Sequence, residues 1–112
     1  MRIERRLLAE VPAATLARLA GDSFFASRGF LELWRTKGGH PVAWTVEADG
    51  AIAAALPGVE YGWGPIARFV SMPDGCYGGV LVDPALEDER PAFARNLFGA
   101  LARRRYAKVH VF

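Results

Sequence analysis

The side chains able to do chemistry in this chain are few, and their spacing decides how far each can be taken. Cys76 is the single cysteine. It stands among Gly and Tyr with no histidine or acid at a spacing that would activate a thiol, so an incidental or structural role is the plainer reading than a nucleophile. His40, between Gly39 and Pro41, and His110, close to the last residue, are the two histidines. Neither falls in a metal-ligand pattern, and packing or surface roles are expected for both, with no metal site. Glu60 is the weak catalytic candidate: a carboxylate beside an aromatic run, where it could serve as a general base, although only its neighbourhood recommends it over an ordinary surface charge.

The aromatic run itself reads Tyr61, Gly62, Trp63, Gly64, Pro65. Rings interleaved with flexible residues could line a groove for an extended peptide or glycan, so Tyr61 and Trp63 are candidate substrate-binding residues; the competing reading has them capping the core from a loop. Gly78 and Gly79 join them as candidates, since two glycines let a substrate backbone approach a strand, and a tight bend without a ligand explains them equally well. Arg103, Arg104 and Arg105 look like a phosphate or RNA patch, and Glu87, Asp88 and Glu89 like an acidic site. Both clusters are more simply the two ends of one helix arranged to suit its dipole.

These candidates need elements to position them. Residues 2–8 can form a strand. Pro12 at a first helical position opens a helix carrying Leu16, Ala17, Leu19 and Ala20, which Gly21 closes. Ser27 is a cap for a second helix, in which Phe30, Leu33 and Trp34 share a face and which Gly38 and Gly39 end. Val42, Trp44 and Val46 alternate along a strand, Asp49 and Gly50 form a strong hairpin signal, and residues 51–56 return. The stretch 57–73 is dense in Gly, Pro and aromatics, with an extended piece near 66–72. Residues 78–82 read as the central strand, broken by Asp83 and Pro84. A helix over 87–105 buries Phe93, Leu97, Phe98 and Leu101, and residues 108–112 form a last strand. Ending inside a strand implies a chain cut short there, or a strand completed by a partner.

The composition sets the outer limits. At 112 residues, 52% of them hydrophobic and with seven Phe, three Trp and three Tyr, the chain suits one folded domain over 1–112 and does not suit disorder. A net charge of +2 from 14 basic and 12 acidic residues nominates no nucleic acid partner. The N-terminal residues lack a signal-peptide core, and uncharged stretches are far shorter than a membrane span, so a cytoplasmic location and no membrane are expected.

The succession strand, helix, helix, strand, strand, strand, helix, strand resembles a GNAT acyltransferase fold. The likeness is sharpest at Gly79-Val80-Leu81-Val82-Asp83-Pro84, then Asn96-Leu97-Phe98-Gly99-Ala100-Leu101, then Val109-His110-Val111, which are similar to that superfamily's central strand, major helix and following strand. Residues 27–34 and the hairpin ending in Leu56 and Pro57 look like the FemAB-like branch, whose members carry two such domains in tandem and transfer acyl or aminoacyl groups to amines, often in cell-wall or exopolysaccharide synthesis. The resemblance implies an α/β (α+β) fold with a mixed, largely antiparallel sheet and helices on both faces.

The departure from the family is equally informative. GNAT enzymes bind the coenzyme A pyrophosphate on a glycine-rich loop at the start of the major helix, where free amides and the helix dipole attract an anion. Here that place holds Ala85-Leu86-Glu87-Asp88-Glu89-Arg90-Pro91: no glycine, three carboxylates, and a proline without an N–H. The first domain of FemAB-like proteins resembles a GNAT fold without that loop. The expectation is therefore the substrate-side, N-terminal half of an acyltransferase-like domain, not active alone, with no cofactor of its own, working with a second GNAT-like domain or as a homodimer through its C-terminal strand, on a peptide, glycan or amine acceptor. The alternatives are a non-catalytic binding or dimerisation module built on the same fold and, third, a complete small acetyltransferase with an unusual cofactor loop.

Overall fold

A computed structural model of the chain describes residues 2–20, 38–62, 66–71, 80–104, 106 and 108–111. The middle of the fold is set by Asp49 and Gly50. Both have positive φ, 55° and 79°, the combination a two-residue turn needs if it is to match the twist of its flanking strands. They join β2 (His40–Ala48) to β3 (Ala51–Tyr61) in an antiparallel hairpin. β1 (Arg2–Leu7) pairs antiparallel with β2. The far edge of β3 carries β4 (Arg68–Ser71) and β5 (Leu81–Val82), both antiparallel to it, and β6 (Lys108–Val111) lies parallel to β4. The result is a six-stranded, mostly antiparallel sheet with the order β1-β2-β3-β4-β6 and β5 beside β3. With its helices it is an α+β fold.

β3 runs five residues beyond the expected end at 56, straight through Pro57 and Gly58. Among the described residues its outer edge has ladder partners at 54–55 and 59–61 and none between, so a residue lacking an N–H is accommodated at the interruption. Gly58 answers a second demand. A Cβ built there would stand 2.7 Å from the Phe69 ring and 2.7 Å from the Val70 carbonyl oxygen, so only glycine lets β4 lie this close.

The two faces of the sheet are covered by different elements. On one, Val42, Trp44, Val46, Leu56 and Phe69 pack against Phe93, Leu97, Ala100 and Leu101 of the helix α2 (Arg90–Arg104). On the other, Ala43, Ala55 and Val59 pack with Leu8, Val11 and Leu19, the last of these on α1 (Ala13–Ala20). The register slips between Val46 and Glu47, and this bulge puts Ala53 on the same cluster as Ala54. Each large aliphatic or aromatic side chain buried this way contributes about 1.5–3 kcal/mol of transfer free energy.

Several expectations are corrected by these elements. The middle of the sheet is β3, and of the segment 78–82 the described part contributes only the two-residue β5 at its edge. α2 begins at Arg90, after a 3-10 turn over Pro84–Glu89, so the acids at 87–89 precede the helix. Phe98 is 43% exposed and Ala100 takes its place in the core, because 93, 97, 100 and 101 keep the helical spacing and 98 turns away from it. The expected helix from Ser27 and the closing Gly21 lie outside the described residues.

Candidate functional site

Counting by twos along β3 from Leu56 places Gly58 and Glu60 on the α2 face. Glu60 is nearly fully buried, 6% exposed. Two strands away, the same count along β1 puts Arg5 on that face with Ile3, which packs against the core there. The Arg5 side chain reaches across β2 and grips the carboxylate with both arms of its fork: Nε donates to Oε2 at 2.7 Å and Nη2 to Oε1 at 2.5 Å. The Tyr106 hydroxyl, between α2 and β6, donates to Glu60 Oε2 and accepts from Trp44 Nε1 at 3.1 Å. Its ring stands edge-on to Trp44, with centroids 6.4 Å apart, and tilted on Phe69 at 5.7 Å. The Arg104 guanidinium lies over the ring at 5.8 Å.

Electrostatics follow from this geometry. Burial pushes the Glu60 carboxyl up, but the hydrogen bonds from Arg5 and Tyr106, with the charges of Arg5 and Arg104, outweigh it and hold its pKa below the ordinary carboxylate value. The Tyr106 phenol is pushed up, by burial first and then by its bond to the Glu60 carboxylate. Arg5 is raised by its bond to Glu60. A carboxylate held this way keeps its charge and takes up a proton reluctantly, which suits an anchor better than a general base working near neutral pH. Sequence reasoning singled out Glu60 and missed Arg5 and Tyr106. The only local hint for Arg5 was its alternation with Ile3 and Leu7 along a strand; its acid partner comes from 55 positions away.

The other candidates do not converge on Glu60. Tyr61, one residue on, turns to the opposite face, where it packs beside the α1 cluster with Arg68 over its ring at 5.7 Å. Gly62 follows with φ 73°. Trp63, Gly64, Pro65, Cys76, Gly78 and Gly79 lie outside the described residues, as does Arg105. His40 is exposed at the start of β2, in register with Glu60, and His110 is in β6. Arg103 and Arg104 fall in the last turn of α2. Among the described residues no group of three His, Cys, Asp or Glu side chains could hold a metal ion, and no helix is long and apolar enough to cross a membrane.

The approach to α2 is occupied by the chain's own groups. Asp83 accepts from the Ala85 N–H at 3.0 Å with its side chain and from the Leu86 N–H at 2.7 Å with its carbonyl. The Arg90 N–H bonds to the Glu87 carbonyl. Pro91 has none to offer. The Arg90 guanidinium binds the Glu87 carboxylate, Nε to Oε1 at 2.5 Å, and also the Val80 carbonyl. Arg18 of α1 closes the other side, donating to Asp83 and, at 2.9 Å, to the Ile52 carbonyl. Around the entry to α2 the Ala85, Leu86 and Arg90 amides are bonded within the chain, Pro91 has none, and the Glu87 carboxylate stands nearby, an arrangement unfavourable to an anion. No family model matches the chain, and no curated protein or solved structure matches it either.

Proposed function

We propose that this chain is the substrate-side half of an acyl- or aminoacyl-transferase-like domain of GNAT or FemAB-like kind, working beside a second domain that supplies the acyl donor. The observation that carries the reading is the closed entry to α2. A mostly antiparallel α+β sheet with a C-terminal helix is compatible with the resemblance, and the entry to that helix, where such a fold would seat a pyrophosphate, is lined by Asp83, Glu87 and Arg90. A domain of this build keeps the scaffold and gives up donor binding. The rigid hairpin then serves to present the end of β3, where Tyr61 and Gly62 lead out of the sheet, to an amine-bearing peptide or glycan acceptor.

Titration calorimetry with acetyl coenzyme A tests the donor side: no heat of binding is expected, and micromolar binding would overturn the proposal. An amine-bearing peptide or amino sugar tests the acceptor side by NMR. Amide shifts that move together at Tyr61 and Gly62 are expected, and an acceptor that shifts only residues around Arg90 would place binding at the wrong end of the sheet.

A further inference from the structure

We propose that the Tyr106 hydroxyl is a latch that holds β4 and β6 closed on the rest of the sheet, and that these two strands open together, as one unit, when it is released. The inference starts from unequal ladders. β2 and β3 are paired at nine positions. Among the described residues, β4 is paired with β3 at three positions, 59–61, β6 with β4 at four, and β6 touches no other strand. Ladders this short give a region the low local stability from which partial opening begins.

Besides the Arg68–Tyr61 contact and the packing of Phe69, one side chain ties these strands to the rest of the sheet through hydrogen bonds. Tyr106 stands in the connection between α2 and β6, and from there it reaches three strands at once. It is bonded to Glu60 of β3, bonded to and edge-on with Trp44 of β2, and in ring contact with Phe69 of β4. Phe69 is completely buried, so separating β4 from β3 exposes a large ring, and Tyr106 lies against that ring. The bond to Glu60 is charge-assisted, since Arg5 keeps the carboxylate ionised, and such bonds are stronger than neutral ones. Losing the hydroxyl also strands the Trp44 N–H. The latch is built from β1, β2, β3 and the end of α2, and the strands it restrains are β4 and β6.

Hydrogen exchange of the folded protein, read residue by residue, tests this without any ligand, so its failure is separate from failure of the transferase reading. Tyr106→Phe keeps both ring contacts and removes only the hydroxyl. The ladder amides of Arg68–Ser71 and Lys108–Val111 are expected to exchange about tenfold to a hundredfold faster, the factor to which one charge-assisted hydrogen bond corresponds. The amides between β2 and β3 should keep their wild-type rates. Glu60→Gln weakens the same bond from its other end and also the Arg5 pair, so β1 amides should speed up together with those of β4 and β6. Equal acceleration across all strands, or no acceleration in β4 and β6, would overturn the latch.

Discussion

Arg5 and Arg6 are neighbours on β1, and each grips a glutamate at 2.5 Å, but they point to opposite faces of the sheet. Arg5 takes Glu60 of β3, whose side chain is 8% exposed; Arg6 takes Glu47 of β2, 28% exposed, and shares itself with Glu4 at 2.9 Å and with the Thr45 hydroxyl at 3.2 Å. The two pairs have the same chemistry and nearly the same geometry. They differ at the acid: Glu60 is nearly shut off from water and Glu47 is not, although the Arg5 side chain, 32% exposed, is no more buried than that of Arg6, 24% exposed. The outward pair belongs to a row of alternating charges, Arg2, Glu4 and Arg6, that keeps the edge strand β1 from pairing with another chain. The inward pair decides whether a charge can exist in the core at all.

The largest effect that separates them is expected from Arg5→Ala. It leaves Glu60 buried and ionised with only Tyr106 and the more distant Arg104 to answer it, a loss of about 3 kcal/mol for breaking a buried pair from one side. Chemical denaturation of the variant measures this. A loss no greater than that of the outward pair would erase the distinction between the faces. Replacing both members, Arg5→Leu with Glu60→Leu, should recover much of the loss, because the uncompensated charge is then gone.

Acid gives a smaller, graded version of the same experiment. The Glu60 pKa is lowered in the folded state, so its contribution is fully present above the unfolded value of roughly 4.3 and is lost as pH falls through the folded value below it. Tyr106 acts at the other extreme: its raised pKa means a contribution present below roughly 10 and lost as pH rises through the higher folded value. Denaturation midpoints measured from pH 7 down to pH 3 should therefore fall more steeply for the wild type than for Glu60→Gln. Parallel curves would mean that Glu60 is not coupled to folding.

How much of this was legible depends on whether the decisive contact was local. The Asp49-Gly50 turn was, because its backbone requirement is written in two adjacent residues, and so was the core stripe of α2 apart from Phe98. The end of β3 was not. Pro57 and Gly58 are punctuation in a sequence, and their meaning as an interruption in the ladder and a seat for Phe69 depends on β4, eleven residues further on. Glu60 was visible as a carboxylate near aromatic residues, but its partners come from 55 positions before it and 46 after it. A pattern confined to neighbours could nominate it for chemistry and could not show that two such partners already hold it. The acids and Pro91 ahead of α2 were readable as residues, while their 3-10 turn and the contacts of Arg18 and Arg90 needed the fold.

The smallest effect sharpens the comparison most, because it tests the Arg6 cluster, on the other face of the sheet, with the same substitution. Arg6→Ala removes a fork that binds Glu47, Glu4 and Thr45 together, three contacts against the two that Arg5 makes with Glu60. Were stability a matter of counting contacts, this variant would be the more damaged. Glu47 and Glu4 are each 28% exposed, so water and salt can solvate the freed carboxylates better than Glu60, and the expected loss is smaller, about 1 kcal/mol. Half a molar salt should shrink the difference between Arg6→Ala and the wild type further and leave that of Arg5→Ala nearly unchanged, because screening acts on the pair that solvent can reach. A loss at Arg6 as large as at Arg5, insensitive to salt, would mean that burial is not what divides the two faces.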